Sequence, residues 1–134
     1  MYIELKKQYQ AKLSKLMEDN EIFWAFNKEQ LNAGVKKFNI SKDNKMVSVG
    51  MGGYMPSKNL KSYLQATKEL EAWYKAEHKK LKKDKQALEE AILYELNNHE
   101  CFYTGDIQSA CDVLPNVSRE EVKRVYNKYV QIYA

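Results

Sequence analysis

Apolar residues at Tyr2, Leu5, Tyr9, Leu13, Leu16 and Met17 recur every three or four positions, with Lys and Gln between them. That spacing puts them on one side of a helix and predicts an amphipathic first helix of about four turns. The polar Glu18, Asp19 and Asn20 end it. Ile22, Phe23, Trp24, Ala25 and Phe26 then form an aromatic run too short for a helix of its own, which reads as a buried strand or extended segment. Asn27 and Gln30 stand three apart, as the partners of a capping box do, and open a second helix with Leu31, Val35 and Phe38 on its inner face. Gly34 inside that helix costs roughly 1 kcal/mol relative to Ala, which points to close packing there.

Residues 41–45 are polar and read as a turn, and residues 46–49 alternate as a strand does. Gly50, Gly52 and Gly53 mark a tight turn, after which Tyr54 and Met55 return as a second short strand. Pro56 and Ser57 open the longest helix, with Leu60, Tyr63, Leu64, Thr67, Leu70, Trp73 and Tyr74 in one stripe that Leu81 extends. Asp84 restarts a helix in which Leu88, Ala91, Ile92 and Leu96 face inward, and Asn97 and Asn98 end it, because Asn tolerates a left-handed cap. Asp106 caps a short helix through Ile107, Ala110 and Cys111, stopped by Pro115. Ser118 and Glu121 form a second capping box, Val117 staples to Val122, and the last helix continues its apolar face through Val125, Tyr126, Tyr129, Val130 and Tyr133. The fold class is α+β: a mostly helical single compact domain over residues 1–134, with a small antiparallel sheet made from the segment near 22–26 and the hairpin near 46–55.

Composition supports this and adds a constraint. A length of 134 residues suits one core, and 44% hydrophobic with 30% charged residues is globular rather than disordered. Ten Tyr is a high number, and Tyr favours core edges and contact surfaces. The net charge is +4, but only Arg119 and Arg124 among the 22 basic residues are Arg. A Lys surplus is a set of solvated point charges, less suited than Arg to reading base edges. Two Cys are too few for a disulfide framework, the opening residues do not read as a signal peptide, and no apolar run approaches a membrane span. The expected location is the cytoplasm, away from membranes, with both thiols reduced.

Candidate chemistry concentrates in residues 95–106. A metal reading would recruit His99, Glu100, Cys101 and Asp106, with Cys111 as a further ligand, but zinc sites show paired ligands at short spacing and none is present. The other imidazole, His78, sits among Lys residues. A nucleophile built on Cys101 and His99 lacks an orienting group. No catalytic residue, metal ligand set or cofactor is therefore assigned. His99, Glu100 and Asp106 are expected to bond backbone around a turn between helices, and together with Asn98 are the candidates for contact with a partner. The glycines at 50, 52 and 53 match neither a P-loop nor a dinucleotide fingerprint. Lys75, Lys79, Lys80, Lys82 and Lys83, with Lys85 and His78 and with Trp73 and Tyr74 nearby, are the candidates for nucleic acid, diluted by Glu71, Glu77 and Asp84.

Three segments also match familiar patterns. Ile-Phe-Trp-Ala-Phe-Asn-Lys-Glu-Gln at 22–30 is similar to an IFFAFSxEQF-type opening, Met-Val-Ser-Val-Gly-Met-Gly-Gly-Tyr at 46–54 to a LVSIGAGGF-type turn, and Leu-Tyr-Glu-Leu-Asn-Asn-His-Glu at 93–100 to a FLYELSNHE-type element followed by Thr-x-Asp. Together, over roughly residues 20 to 114, they resemble a family of small uncharacterised proteins of bacteriophages and gut bacterial mobile elements. That family has no assigned activity, so the resemblance implies context: a phage-type accessory protein in a bacterial cytoplasm. Cys101 stands where relatives place Tyr, which weighs against thiol chemistry. Among matching positions, Asn98, His99, Glu100 and Asp106 are the polar candidates, and Gly50, Gly52 and Gly53 the backbone ones. The resulting expectation is a non-enzymatic interaction protein that binds a host protein or nucleoprotein, for example to block a defence system such as CRISPR. The alternative is a nucleic-acid binder using the Lys-rich 75–85 helix. A third reading is a small hydrolase or metal protein centred on His99.

Overall fold

The computed structural model describes residues 1–133, with only the backbone at Tyr133, so the reading of that side chain as part of an apolar face lies outside the described residues. The elements follow in the order α1 (Tyr2–Asp19), β1 (Phe23–Trp24), α2 (Lys28–Lys37), β2 (Met46–Gly50), β3 (Gly53–Pro56), a 3₁₀ turn (Ser57–Asn59), α3 (Leu60–Leu81), α4 (Lys85–Asn98), α5 (Cys101–Thr104), α6 (Gln108–Asp112) and α7 (Arg119–Tyr133). This is the expected mostly helical α+β architecture with a small antiparallel sheet. The chain groups into two compact units. Lys7–Trp73 contains the strands and is called the sheet unit; Met1–Lys6 and the chain from Tyr74 onward form the helical unit.

In the sheet unit the strand order is β1-β3-β2, and both pairings are antiparallel. Phe23 stands opposite Tyr54 and Trp24 opposite Gly53, while an irregularity between Ser48 and Gly50 bends β2 into the turn. The helices on either side of β1 close in the same way. Glu21 (φ 60°) and Asn39 (φ 52°) are left-handed without being glycine. After α1, Ile22 N donates to Met17 O and Glu21 N to Glu18 O. After α2, Ile40 N donates to Val35 O and Asn39 N to Lys36 O. These paired bonds satisfy two of the final carbonyls of each helix and lead the chain to a buried isoleucine three residues beyond its end. The start of α2 is as expected at Asn27, whose Oδ1 accepts from Gln30 N at 2.8 Å. The return bond is displaced by one residue, with Gln30 Oε1 accepting from Phe26 N at 2.8 Å. The core here is Phe23, Ala25 and Ile40, packed by Leu31, Val35, Phe38, Met46 and Tyr54.

Two expectations for the sheet unit need correction. The run 22–26 is not buried throughout: Ile22, Phe23 and Ala25 are buried, whereas Trp24 and Phe26 are exposed. A strand sends successive side chains to opposite faces, and only one face at this end meets the core. The α3 stripe is also narrower than its apolar spacing implies. Leu70 is buried and Tyr63 and Thr67 half-buried, but Leu60 and Leu64 are 40% and 57% exposed. Spacing identifies the apolar side of a helix, not how much of its width a neighbour covers.

In the helical unit, α4 supplies Ala87, Ala91, Ile92, Glu95 and Leu96 to the interior. From α7 come Val122 and Val125, both fully buried, and Tyr126, which stacks on Phe102 of α5 with centroids 5.3 Å apart and planes 7° from parallel. Cys101, Ile107, Ala110 and Leu114 fill the remaining space. Asp84 starts α4, its Oδ1 accepting from Gln86 N and Ala87 N. At the other end Asn97 and Asn98 remain helical, and the left-handed residue is Glu100 (φ 56°) rather than either Asn. The buried Leu96 and the bond from His99 N to Glu95 O carry the last turn past both amides. Ser118 Oγ accepts from Glu121 N at 3.2 Å and starts α7 as expected. Among the described residues, no helix is long and apolar enough to cross a membrane.

Candidate functional site

Residues 95–106 are not one turn. They finish α4, form the single helical turn α5 and lead into α6. The four polar candidates there take separate positions. Asp106 Oδ1 accepts from Gln108 N at 2.9 Å, and Asp106 N donates to Thr104 Oγ1, so this residue organises the entry to α6. His99 turns inward, with Nε2 3.4 Å from Glu95 Oε2. Asn98 and Glu100 are exposed. Glu100 lines an open cleft of about 390 Å³ together with Leu96, Asn97, Phe102 and Tyr103. Burial pushes the thiols of both Cys101 and Cys111 above their ordinary pKa, which keeps them protonated near neutral pH. Among the described residues, no group of three His, Cys, Asp or Glu side chains is placed to hold a metal ion.

The residue that sequence reasoning missed is Glu95. Its side chain is fully buried, and its Oε1 lies 2.5 Å from Lys6 Nζ. That ammonium also sits 5.5 Å from the ring centroid of Tyr2 and 5.0 Å from that of Tyr94. His78, buried too, meets Tyr2 and Tyr74 edge-on, at 5.7 and 4.5 Å between centroids. Burial lowers the His78 pKa, Lys6 lowers it further, and Glu95 works in the opposite direction. Tyr2 is raised by burial and by the Glu95 charge. The signal for Glu95 was present in the sequence: it is four residues after Ala91 and three after Ile92, on the inward face. A carboxylate at that phase must be paired, and Lys6 is its partner. Full burial shuts the carboxylate away from any substrate, so this cluster is an internal ion-pair brace.

Lys75, Lys79 and Lys80 lie in the last turns of α3, and Lys82 and Lys83 in the turn that follows; all five are exposed. The stretch 75–85 is thus not one helix. It breaks after the buried Leu81, where Lys83 N and Asp84 N close a turn onto Lys80 O and Leu81 O before Asp84 caps α4. Lys80 is paired with Glu77 at 2.8 Å. The net charge of the chain also lies elsewhere. The helical unit holds eleven basic and eleven acidic residues, whereas the sheet unit holds eleven Lys against seven acids.

The exposed feature of the sheet unit is aromatic. Trp24, Phe26 and Met51 are 48%, 76% and 93% exposed, and Gly52 makes room for the Phe26 ring. A β-carbon on Gly53, opposite Trp24, would meet Val49 Cγ2 at 2.6 Å and Trp24 Nε1 at 3.5 Å. A β-carbon on Gly52 would stand 2.4 Å from Phe26 Cε1. Ala25 N donates to Gly52 O at 2.8 Å and ties β1 to the turn. Gly50, Met51 and Gly52 all have positive φ (91°, 52° and 82°), which throws the Met51 side chain outward. Phe26 borders two shallow clefts, of about 430 and 440 Å³. Lys28 lines the first and Lys37 the second. The result is a small apolar platform with a lysine rim.

The model of a family of unknown function (DUF7659) matches residues 4–133. No curated protein and no solved structure matches the chain.

Proposed function

The chain belongs to that family of unknown function, and we propose that it is a non-enzymatic interaction protein that docks a protein partner on the end of its small sheet. One observation carries this reading: Trp24 and Phe26 stand exposed side by side at a cleft, the Phe26 ring lies over Gly52, and the exposed Met51 follows in the adjoining turn. Large aromatic and Met side chains are the residues that protein interfaces concentrate at their centres, where burial of each contributes most. The polar run 95–106, by contrast, spends His99 and Asp106 on its own structure. The resemblance of three segments to phage and mobile-element proteins favours a host protein or nucleoprotein of the bacterial cytoplasm as the partner, with a defence complex such as CRISPR as one target class.

The test is affinity capture from bacterial lysates with the wild-type protein and with Trp24→Ala/Phe26→Ala. A stoichiometric partner that the wild type recovers and the double variant loses is the expected outcome. A partner retained by the double variant but lost by Asn98→Ala/Glu100→Ala moves docking to the α4–α5 cleft. No stoichiometric partner from any host sinks the reading.

Nucleic-acid binding through Lys75, Lys79, Lys82 and Lys83 is the second reading, favoured by their common exposure around the end of α3. It requires oligo-dT affinity that collapses between low and moderate salt and after Lys→Glu changes at these positions. No binding at low salt removes it.

A further inference from the structure

We infer that the partner segment on the sheet end is acidic, with large apolar side chains set among its carboxylates. This rests on the reading of that surface as the docking site and specifies its occupant. The apolar centre is Trp24, Phe26 and Met51, and the flanking cations are Lys28 and Lys37, one in each cleft beside Phe26. Lys37 is held weakly by the chain itself, 3.6 Å from an exposed Glu18 carboxylate and 4.7 Å from the Phe38 centroid. The whole surplus of positive charge lies in this unit, whose net field favours an acidic partner at long range. Apolar anchors and an oppositely charged rim are what such a surface complements: the anchors hold the complex, and the charges speed its formation and reject basic segments.

The same charges argue against other occupants. A second copy would bring the Lys28 and Lys37 rims of two like-charged units together. A nucleic-acid strand is best met by successive stacking rings along a basic groove, to which Arg adds cation–π contacts. Met51, the most exposed of the three anchors, has no ring, and both Arg residues lie in the helical unit.

The experiment is selection of a random-sequence peptide display library on the immobilised full-length protein, followed by fluorescence polarisation with the enriched peptides. Enriched sequences should carry excess Asp and Glu around Trp, Phe, Leu or Met. Their affinity should fall roughly tenfold or more in Trp24→Ala/Phe26→Ala. It should fall comparably in Lys28→Glu/Lys37→Glu, and association should slow as salt rises. All four residues are exposed, and circular dichroism of each variant checks that it stays folded. Neutral or basic peptides that still need Trp24 and Phe26 overturn the acidic class and leave the docking surface standing. Peptides indifferent to those two residues overturn both. Displacement of a bound peptide by oligo-dT at lower concentration than by the same peptide unlabelled overturns the inference in favour of nucleic acid. A concentration-dependent dimer that dissociates in Trp24→Ala overturns it in favour of self-association.

Discussion

Gly34 of α2 lies against the ring of Phe23 in β1: a β-carbon at Gly34 would stand 2.1 Å from Phe23 Cδ2. The contact explains a helix-interior glycine that local propensity disfavours. In an open helix Gly34→Ala would gain roughly 1 kcal/mol. Here the added carbon overlaps a buried ring held by Phe38 and Tyr54, with centroids 6.4 and 6.3 Å away. Overpacking of that kind costs about 1–3 kcal/mol. Gly34→Ala should therefore unfold at lower urea with an unchanged slope. A higher midpoint would show that Phe23 can move aside.

Met51 joins left-handed backbone to a nearly fully exposed side chain, so stability and docking should separate there. Glycine relieves the backbone, and its greater freedom in the unfolded chain offsets part of the gain, leaving about 0.5–1 kcal/mol. Met51→Gly should melt higher than the wild type and bind its partner more weakly. A variant that melts lower would mean that the methionine packs on the platform.

Lys6 and Glu95 form an asymmetric pair, since only the carboxylate is fully buried. Lys6→Met strands that carboxylate and should destabilise by ~3 kcal/mol. Lys6→Met/Glu95→Leu removes both charges and should recover most of the loss. Chemical denaturation of the two variants checks this, and equal destabilisation by both would count against an ion pair.

His78 gives stability a pH dependence. Its pKa is lowered in the folded chain, so the unfolded chain takes up the proton first as pH falls. The contribution is intact above the ordinary histidine value of about 6.5 and declines as pH drops from there through the folded value. Glu95 opposes the shift and Lys6 adds to it. His78→Phe keeps a ring against Tyr2 and Tyr74 and should flatten the stability profile in this window. Glu89 titrates separately. Hydrogen bonds from Lys128 and Tyr129 lower its pKa, so its contribution is lost only in more acid solution. An unchanged profile in His78→Phe would place the pH dependence elsewhere.

Cys101 is fully buried and its thiol is shifted upward by that burial, so alkylation should need unfolding. Iodoacetamide labelling followed by mass spectrometry should modify Cys111 first and Cys101 only as denaturant populates open states. Rapid native labelling of Cys101 would show that the packing around α5 opens locally.

Features that depend on a few neighbouring residues were readable from the chain. The caps at Asn27, Asp84 and Ser118 each satisfy a donor two or three residues ahead, and all three form. The glycine turn and the two strands it joins are likewise local. Features set by distant neighbours were not. Trp24 and Phe26 share one short run with the buried Phe23, yet both are exposed. Leu60 and Leu64 are as apolar as Leu70, but remain about half exposed. The candidate site at 95–106 was picked for its polar crowding, whereas the structure turns His99 toward Glu95 and commits Asp106 to α6.

The sequence by itself determined the longer helices, the hairpin, the capping residues and the inward face of α4, but not the single turn α5. Those follow from periodicity and from hydrogen bonds closed within four residues. Only the tertiary structure decided that Glu95 on that face pairs with Lys6, 89 positions away in the chain. It also decided that Gly34 receives Phe23, that 75–85 breaks after Leu81, and that the apolar platform lies in the unit carrying the net charge. The physical reason is the same in each case. Local rules fix which groups must be buried or bonded, but the partner that satisfies them is chosen by packing between segments far apart in the chain.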